Sequence, residues 1–413
     1  MKILHVNKYL YRRGGAEAYA LDLAELQRDA GHQIEFFGMS HPMNLPQTYQ
    51  GTFPARIEFQ PIPASLTSKA RATGRMMYSV AARRGIDEVL RRFRPDVVHL
   101  HNIYHQLSPS ILGPISRRGI PAVMTLHDFK MACPTYLMMH KGTPCEACVG
   151  ASVFNAVRRR CNGGSLMASA VSAAEATLHT RTGAYDHIAR FICPSRFLMG
   201  RMEAAGFYPE RLVHLPNFVA SGPGPLRAEP GAGVIFASRL SDEKGVDVAI
   251  RAVAARPALR LEIAGDGPER SSLEELAENL APDRIRFLGH LSRPELLDAL
   301  TSARAAIVPS RCYENQPYAV LEAFSQGVPV VGSDLGGISE LVDHAHDGYL
   351  VAAGDVAGFA DALQALEDAP AEALRMGRRG AEKVGRHLGV TRHLTDLDAV
   401  YDDVGRMSVG VIG

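Results

Sequence analysis

The chain has 413 residues, 46% of them apolar and 22% charged, which favours two or more soluble globular domains. No run of about 18 uncharged apolar residues and no signal-peptide cleavage site occur, so we expect no membrane-spanning helix and a cytoplasmic location. The net charge of +1 conceals an excess of 11 positive charges in residues 1–220 and of 10 negative charges in the remainder. This imbalance favours an anionic surface or ligand over solvated helix faces, and over nucleic acid, because the basic clusters lack interleaved aromatic residues.

Strand and helix patterns alternate along the chain, which predicts parallel sheets with helices on both faces. In the first half, a helix over Ala16–Ala30 is ended by Gly31. The predicted strands of this half are Lys2–Asn7, Gln33–Phe37, Asp96–Leu100, Ala122–Leu126 and Phe191–Cys193.

The most basic part of the first half lies between its second and third strands. Residues Ser65–Arg94 carry eight lysines and arginines. These surround five apolar residues: Met76, Met77, Val80, Val89 and Leu90. This composition is compatible with a pair of helices lying on an anionic membrane surface, or with a solvated face that binds nothing.

Four cysteines fall within one segment after the fourth predicted strand: Cys133, Cys145, Cys148 and Cys161. Cys145 and Cys148 form a C-x2-C knuckle, flanked by single cysteines 12 and 13 residues away. This pattern fits a structural zinc site with four thiolate ligands. A stable disulfide is disfavoured in a reducing cytoplasm, whereas an iron–sulfur cluster and four unconnected thiols remain alternatives.

The second half repeats the alternation after a segment, residues 219–233, that contains three prolines and four glycines and is typical of a linker. Its predicted strands are Val234–Ala237, Arg260–Ala264, Ile285–Phe287, Ala305–Val308 and Val328–Gly332. We therefore expect doubly wound α/β domains over residues 1–218 and 234–390. Residues 391–413 would form a helical tail that could cross back to the first domain.

Glycine-rich and basic turns follow several strands, and ligands in such sheets bind at the carboxyl ends of the strands. In the first half this turn contains Gly14 and Gly15, at the start of a helix. In the second half the turns contain Arg239, Lys244, Gly265, Gly267, Gly336 and Gly337. The preference of glycine and polar residues for turns explains each of these turns alone, but the turns together predict a ligand with a diphosphate and several hydroxyls.

Two glutamates frame a proline in the segment PSRCYENQPYAVLEAFSQGVPVV, residues 309–331. Pro317 suits the first position of a helix, and Gly327 suits its end. Glu314 precedes this helix and Glu322 lies one to two turns inside it, which is too far apart for a paired acid and base. The two carboxylates are predicted to be separate acceptors for hydroxyl groups, unless Glu314 only favours the helix N-terminus and Glu322 is solvated.

The order of these motifs resembles the retaining glycosyltransferases of family 4, whose GT-B fold has two Rossmann-like domains facing across a cleft. The resemblance covers nearly the whole chain. It is carried by GGAEAY, VVHLHN, TLHD, RLSDEKGVD, AGDGPE, SRCYENQPYAVLEAFSQGVPVV and SDLGGISE. One departure is Asn315-Gln316-Pro317, where many members have an aromatic–glycine pair; it resembles a subgroup associated with surface and capsular polysaccharides.

The resemblance implies a role for each matching residue. Arg239 and Lys244 would hold the diphosphate of a UDP- or GDP-linked sugar. Glu322 would accept hydrogen bonds from the ribose, Glu314 would accept them from the transferred sugar, and His127 would lie near the reacting centre. The other implied donor-binding residues are Gly14, Gly15, Gly265, Gly267, Asn315, Gln316, Gly336 and Gly337.

The implied reaction transfers a sugar, with retention, to a lipid-linked or glycan acceptor in surface polysaccharide or glycoconjugate biosynthesis. Arg239, Lys244 and helix N-termini would stabilise the leaving phosphate, so no catalytic metal is expected. The alternatives are a nucleotide-sugar 2-epimerase and a non-catalytic module that binds nucleotide sugars or membrane. The seven-residue spacing between the two glutamates and the context of Lys244 favour transfer.

Overall fold

The computed structural model describes residues 1–58, 66–220 and 227–409. Parts of the predicted basic segment, linker and tail lie outside these ranges. The described chain forms two α/β domains, each built on a six-stranded parallel sheet. In these ranges no helix has both the length and the apolar character needed to cross a membrane.

The first domain contains one of these sheets and a small antiparallel hairpin. Its strands are β1 (Lys2–Val6), β2 (Gln33–Phe37), β3 (Val97–Leu100), β4 (Ala122–Thr125), β5 (Met139–His140), β6 (Thr143–Pro144), β7 (Arg190–Cys193) and β8 (Leu212–His214). The sheet order is β2-β1-β3-β4-β7-β8, and β5 pairs with β6. Its helices are α1 (Gly15–Asp29), α2 (Leu66–Met77), α3 (Val80–Phe93), α4 (Leu112–Arg117), α5 (Asn155–Arg158), α6 (Leu166–Arg181) and α7 (Arg196–Ala204).

The second domain has the same architecture. Its strands are β9 (Val234–Ala237), β10 (Leu261–Ala264), β11 (Ile285–Gly289), β12 (Ala305–Val308), β13 (Val330–Ser333) and β14 (Gly348–Val351). The sheet order is β11-β10-β9-β12-β13-β14. The remaining helices are α8 (Val246–Ala254), α9 (Arg270–Leu280), α10 (Arg293–Ser302), α11 (Tyr318–Ser325), α12 (Gly337–Leu341), α13 (Val356–Asp368), α14 (Pro370–His387) and α15 (Val390–Val409).

The chain passes between the domains at two neighbouring places. One crossing lies at residue 219 and the other follows α14, and the Val219 N–H donates to the Leu388 carbonyl oxygen at 3.2 Å. Helix α15 then packs on the first domain, where Leu397, Tyr401 and Val404 join its apolar core. The last helix of the chain is therefore part of the first domain.

Both sheets are fully covered, as parallel sheets require. Every residue of β3, β4 and β12 is buried. Helix α3 begins after Ser79, whose hydroxyl accepts a hydrogen bond from the Ala82 N–H and so caps the helix. Val89 and Leu90 of this helix, which the sequence suggested for a membrane-facing pair, are 0% and 1% exposed and pack into the first-domain core. That part of the expectation is wrong, because the apolar face of α3 covers the sheet.

Every strand predicted from the sequence is present, with bounds shifted by at most two residues. The shift at β13 has a clear cause. Pro329 has no N–H to donate, so the strand begins at Val330. The sequence did not predict β8, β14 or the β5–β6 hairpin, which are short and only partly buried.

Candidate active site

A cleft of about 300 Å³ lies between the domains, at the carboxyl ends of strands from both sheets. This is the edge where ligands bind in doubly wound sheets. Seven of the residues predicted from the sequence line it: Gly15, His127, Lys244, Glu314, Asn315, Gln316 and Glu322. The fold therefore brings together residues that are up to 307 positions apart in the chain.

An ion pair between Lys244 and Glu314 lies in this cleft. The Lys244 Nζ donates to Glu314 Oε1 at 2.6 Å, and the Ser310 hydroxyl donates to the same oxygen at 2.7 Å. The turn after Lys244 is tight, because a Cβ at Gly245 would lie 2.1 Å from the Pro309 carbonyl oxygen. Burial alone would lower the pKa of Lys244, but the Glu314 carboxylate outweighs it and raises that pKa. Lys244 is therefore a charged ammonium group held next to the cleft.

Glu322 is the second carboxylate in the cleft and is supplied by α11. That helix begins at Tyr318, one position later than predicted, with Pro317 as its N-cap. Burial raises the pKa of Glu322 to about 7, with Arg293 opposing the rise and Asp22 adding to it. A ligand that donates hydrogen bonds to this carboxylate would favour its ionised form and so lower that pKa.

Tyr318 closes the cleft against the first domain. A Cβ at Gly15 would lie 3.1 Å from the Tyr318 ring, so the ring leaves little room for anything but backbone at the start of α1. The Tyr318 hydroxyl is buried and has no hydrogen-bond partner in the described parts of the chain. Gly14 is the N-cap of α1, in extended conformation, and does not line the cleft.

His127 faces the cleft from the end of β4 and belongs to a row of histidines. Its Nε2 lies 3.1 Å from His101 Nδ1, and His101 Nε2 lies 3.0 Å from His5 Nδ1. His5 Nε2 lies 2.7 Å from Gln27 Oε1, which can only accept a hydrogen bond. Burial lowers the pKa of His127 to about 3, helped by Lys8, and that of His5 to about 4.

The hydrogen-bond directions in this row fix the tautomers if each ring is neutral. His5 must donate from Nε2 to Gln27, so its Nδ1 accepts from His101 Nε2. His101 Nδ1 must then accept from His127 Nε2. The remaining nitrogen of His127, Nδ1, carries a lone pair, so His127 can accept a hydrogen bond from a hydroxyl group in the cleft.

His5 and His101, together with His99, form the one group in the described ranges whose potential metal-ligating atoms lie within 4.8 Å of one another. Their ring nitrogens are already used. His99 Nδ1 lies 2.7 Å from the Tyr401 hydroxyl and His99 Nε2 lies 2.8 Å from the Thr125 hydroxyl. The group is therefore a hydrogen-bonded network that joins β1, β3 and α15 behind His127.

Asn315 and Gln316 line the cleft, but their side chains also join the two domains. Asn315 donates from Nδ2 to the Leu126 carbonyl oxygen at 2.9 Å, and its Oδ1 accepts from the Ser195 hydroxyl at 2.8 Å. Gln316 Oε1 accepts from the Asn217 N–H at 2.5 Å. These contacts hold the loop that carries Glu314 against the first domain.

Arg239, Gly265 and Gly267 were expected at the donor but do not line the cleft. The Arg239 side chain is 62% exposed and forms an ion pair with Glu243. The glycines allow two loops to approach closely. A Cβ at Gly265 would lie 1.9 Å from the Ser238 carbonyl oxygen, and one at Gly267 would lie 2.2 Å from that of Leu240.

Gly336 and Gly337 also lie outside the cleft lining and support the Glu314 loop from behind. The Gly337 N–H donates to the Glu314 carbonyl oxygen at 2.8 Å. A Cβ at Gly337 would lie 1.5 Å from the Asn315 carbonyl oxygen, so a side chain there would displace the loop.

Sequence reasoning missed the ion pair Asp22–Arg293 near Glu322 and four polar residues of the cleft: Asn217, Ser238, Ser310 and Tyr318. Ser310 directly follows β12, so the rule that strand ends carry ligand-binding residues would have found it. Asp22 and Arg293 are 271 positions apart, and no local pattern connects them.

Two protein-family models match the chain. Residues 14–217 match the glycosyl transferase 4-like domain, and residues 225–383 match the glycosyl transferases group 1. The 2-deoxystreptamine N-acetyl-D-glucosaminyltransferase of Streptomyces fradiae is 30% identical over 72% of this chain and 71% of that protein. The glycogen synthase of Mycobacterium tuberculosis is 38% identical over 37% of this chain. The chain spans 38% of that synthase and 20% of the exopolysaccharide phosphotransferase SCO2592 of Streptomyces coelicolor, which it also matches.

Solved structures share the fold at low sequence identity. Sucrose-phosphate synthase from Thermosynechococcus elongatus has a TM-score of 0.71 and 17% identity, covering 98% of each chain. Anabaena HepE in complex with UDP-glucose has a TM-score of 0.66 and 17% identity, covering 98% of this chain and all of that one. The chain thus belongs to the group 1 glycosyltransferases, with a glycosyl transferase 4-like first domain and the GT-B fold.

Proposed function

We propose that this chain transfers a sugar from a nucleoside-diphosphate donor to an acceptor hydroxyl, with retention of the anomeric configuration. The observation that carries this proposal is the joint placement of Lys244, Glu314 and Glu322 in one cleft between the domains. One cation and two separate carboxylates suit one diphosphate and two sugar rings. The buried Tyr318 hydroxyl adds a polar group that a ligand could satisfy.

In this proposal, Glu322 accepts hydrogen bonds from the ribose and Glu314 accepts them from the transferred sugar. Lys244 binds the diphosphate. Its ion pair with Glu314 keeps both side chains in place before the donor arrives, which reduces the reorganisation needed at the transition state. Arg239 could reach the phosphates only after leaving Glu243, and its exposure leaves it room to do so. The nucleoside of the donor is uridine or guanosine; the HepE complex with UDP-glucose supports uridine.

The acceptor hydroxyl attacks the anomeric carbon on the side from which the diphosphate leaves, and the leaving phosphate takes its proton. A double displacement would need a carboxylate nucleophile. The described cleft lining contains two carboxylates: Glu314, which is held by Lys244, and Glu322, whose pKa of about 7 suits hydrogen bonding to hydroxyls. Neither acts as a nucleophile in the proposed reaction. His127 accepts a hydrogen bond from a donor-sugar hydroxyl through Nδ1. Lys244 supplies the positive charge that the leaving phosphate needs, so we expect catalysis without a divalent metal.

The acceptor enters on the first-domain side and is lipid-linked or a glycan, as in surface polysaccharide biosynthesis. An anionic membrane surface is the proposed partner of α3. Four of its arginines are exposed: Arg83, Arg84, Arg91 and Arg92. At its start, Tyr78 and Val80 are 48% and 50% exposed, so attraction would depend on charge and these two side chains.

A panel of nucleotide sugars tests the proposal. Without an acceptor, a transferase should slowly release free nucleotide from the donor. With an acceptor, it should form a product whose anomeric configuration is that of the donor. Sugar isomerisation would identify a 2-epimerase. Saturable binding with neither reaction, for every donor, would identify a non-catalytic module.

A further inference from the structure

Four cysteine side chains surround a second, smaller cavity in the first domain. Its lining contains Cys133, Cys145, Cys148 and Cys161 together with Arg159. The cavity volume is about 10 Å³, roughly the room for one water molecule or one small ion. All four cysteines are partly buried, so the sulfur atoms are neither fully solvated nor enclosed in an apolar core.

Local hydrogen bonds explain why these cysteines meet. The β5–β6 hairpin leads into the C-x2-C knuckle, where the Cys145 N–H donates to the Met138 carbonyl oxygen at 2.7 Å. After α5, the Cys161 N–H donates to the Ala156 carbonyl oxygen at 3.0 Å. These backbone hydrogen bonds fix the positions of Cys145 and Cys161.

A positively charged side chain lies beside the four thiols. Arg159 Nη1 donates to Cys145 Sγ at 3.3 Å. A divalent ion would replace the thiol protons, and Arg159 would offset part of the remaining negative charge.

We propose that Cys133, Cys145, Cys148 and Cys161 bind one zinc ion, and that the loaded knuckle braces the loop carrying Glu314. The small cavity favours a single ion over an iron–sulfur cluster. No three of the four described sulfur atoms lie within 4.8 Å of one another, a spacing that only His5, His99 and His101 meet in the described ranges. The sulfurs must therefore move inward to reach about 2.3 Å from zinc.

Glu146, which lies between Cys145 and Cys148, connects the knuckle to the loop that carries Glu314. Its Oε1 accepts from the Tyr313 hydroxyl at 2.9 Å, and its Oε2 accepts from Arg201 at 2.6 Å. Tyr313 directly precedes Glu314 and packs against Phe197 of the first domain, with ring centroids 4.6 Å apart. Zinc would fix the knuckle backbone and therefore the carboxylate that receives the Tyr313 hydroxyl.

Elemental analysis tests the metal site. Protein made in zinc-supplemented medium and purified without chelator should carry about one zinc per chain. Cys148→Ser should lose it, whereas Cys193→Ala, which removes a buried thiol elsewhere in this domain, should retain it. Protein with neither zinc nor iron, or with iron and inorganic sulfide, would overturn the assignment.

A measurement on the unaltered chain covers the case in which Cys148→Ser does not fold. Titration with a mercurial should release zinc as the four thiols react, and cobalt in place of zinc should show intense sulfur-to-metal charge-transfer absorption. Zinc that leaves before any thiol reacts would overturn the site.

The brace rests on the proposed transferase function, so its test is separate. Tyr313→Phe removes only the hydroxyl that Glu146 receives. It should keep full zinc content and lower turnover about tenfold, because a loop that positions a reacting group tolerates little displacement. Full zinc with unchanged turnover would refute the brace alone. A wild type that binds zinc but transfers no sugar from any donor would refute the transferase proposal and leave the metal site standing.

Discussion

Replacing Glu322 with glutamine should stabilise the ligand-free protein at alkaline pH while weakening its binding of the donor. Burial raises the pKa of Glu322 from 4.5 to about 7. A carboxyl group with a raised pKa in the folded state contributes stability below pH 4.5 and loses it as the pH rises through about 7. The rise of about 2.5 pKa units corresponds to about 3 kcal/mol of unfolding free energy. Glutamine carries no charge at any of these pH values and so avoids that loss.

Thermal unfolding of the wild type and Glu322→Gln between about pH 5 and about pH 8.5 measures this effect. The two proteins should unfold at similar temperatures at the acid end, and the variant should unfold several degrees higher at the alkaline end. Glu382→Gln is the matched control. Its carboxylate is exposed on α14 beside Arg386, so its curve should run parallel to that of the wild type.

Ligand binding should change in the opposite direction. A nucleoside diphosphate that binds only the folded protein raises the unfolding temperature. This rise should be smaller in Glu322→Gln, because the amide replaces the carboxylate that receives the ribose hydroxyls. A stability difference between variant and wild type that does not depend on pH would refute the assigned burial cost. An undiminished nucleotide effect would refute the ribose contact.

Three further predictions concern the cleft and the basic helix. Lys244→Ala should lower turnover at saturating donor by about two orders of magnitude, since one preorganised donor at a developing anion contributes about 3 kcal/mol; near-normal turnover would place the diphosphate elsewhere. Glu314→Gln should lower kcat while Glu322→Gln raises KM, because only contacts to the reacting sugar strengthen in the transition state; equal changes confined to KM would contradict these roles. The protein should sediment with anionic but not neutral vesicles, reversibly with salt. Charge reversal of four arginines should abolish that binding and leave donor hydrolysis intact: Arg83, Arg84, Arg91 and Arg92. A wild type that ignores anionic vesicles at low salt would favour a soluble acceptor.

The strands and the two cleft carboxylates could be predicted because their signals are local. A short apolar run followed by a polar or glycine-rich turn indicates the end of a strand. Glu314 and Glu322 both lie in the single segment between β12 and β13. The histidine network could not be predicted in the same way. His5 and His99 come together through the parallel register of β1 and β3, and Tyr401 reaches His99 only because α15 returns to the first domain.

The roles of Asn315 and Gln316 also depend on distant partners. Their position beside Glu314 suggested contact with the donor, yet their side-chain hydrogen bonds go to Leu126, Ser195 and Asn217. The apolar residues of α3 were predicted wrongly for a different reason. Composition alone does not distinguish a helix face that packs on a sheet from one that packs on a membrane, and Val89 packs on the sheet.

The two chain crossings between the domains constrain how the cleft can open. Because the Val219 N–H is hydrogen-bonded to the Leu388 carbonyl oxygen, the crossings lie side by side and act as a two-stranded hinge. We expect two adjacent crossings to let the domains rotate apart about the line that joins them, which would separate Glu314 from His127. Because α15 packs on the first domain, that domain is made of two separate pieces of chain, whereas the second domain is one continuous piece. A fragment ending at residue 218 would lack α15 and leave His99 without the Tyr401 hydroxyl, so separate expression of the first domain would require residues 390–409 to be supplied in trans or by circular permutation.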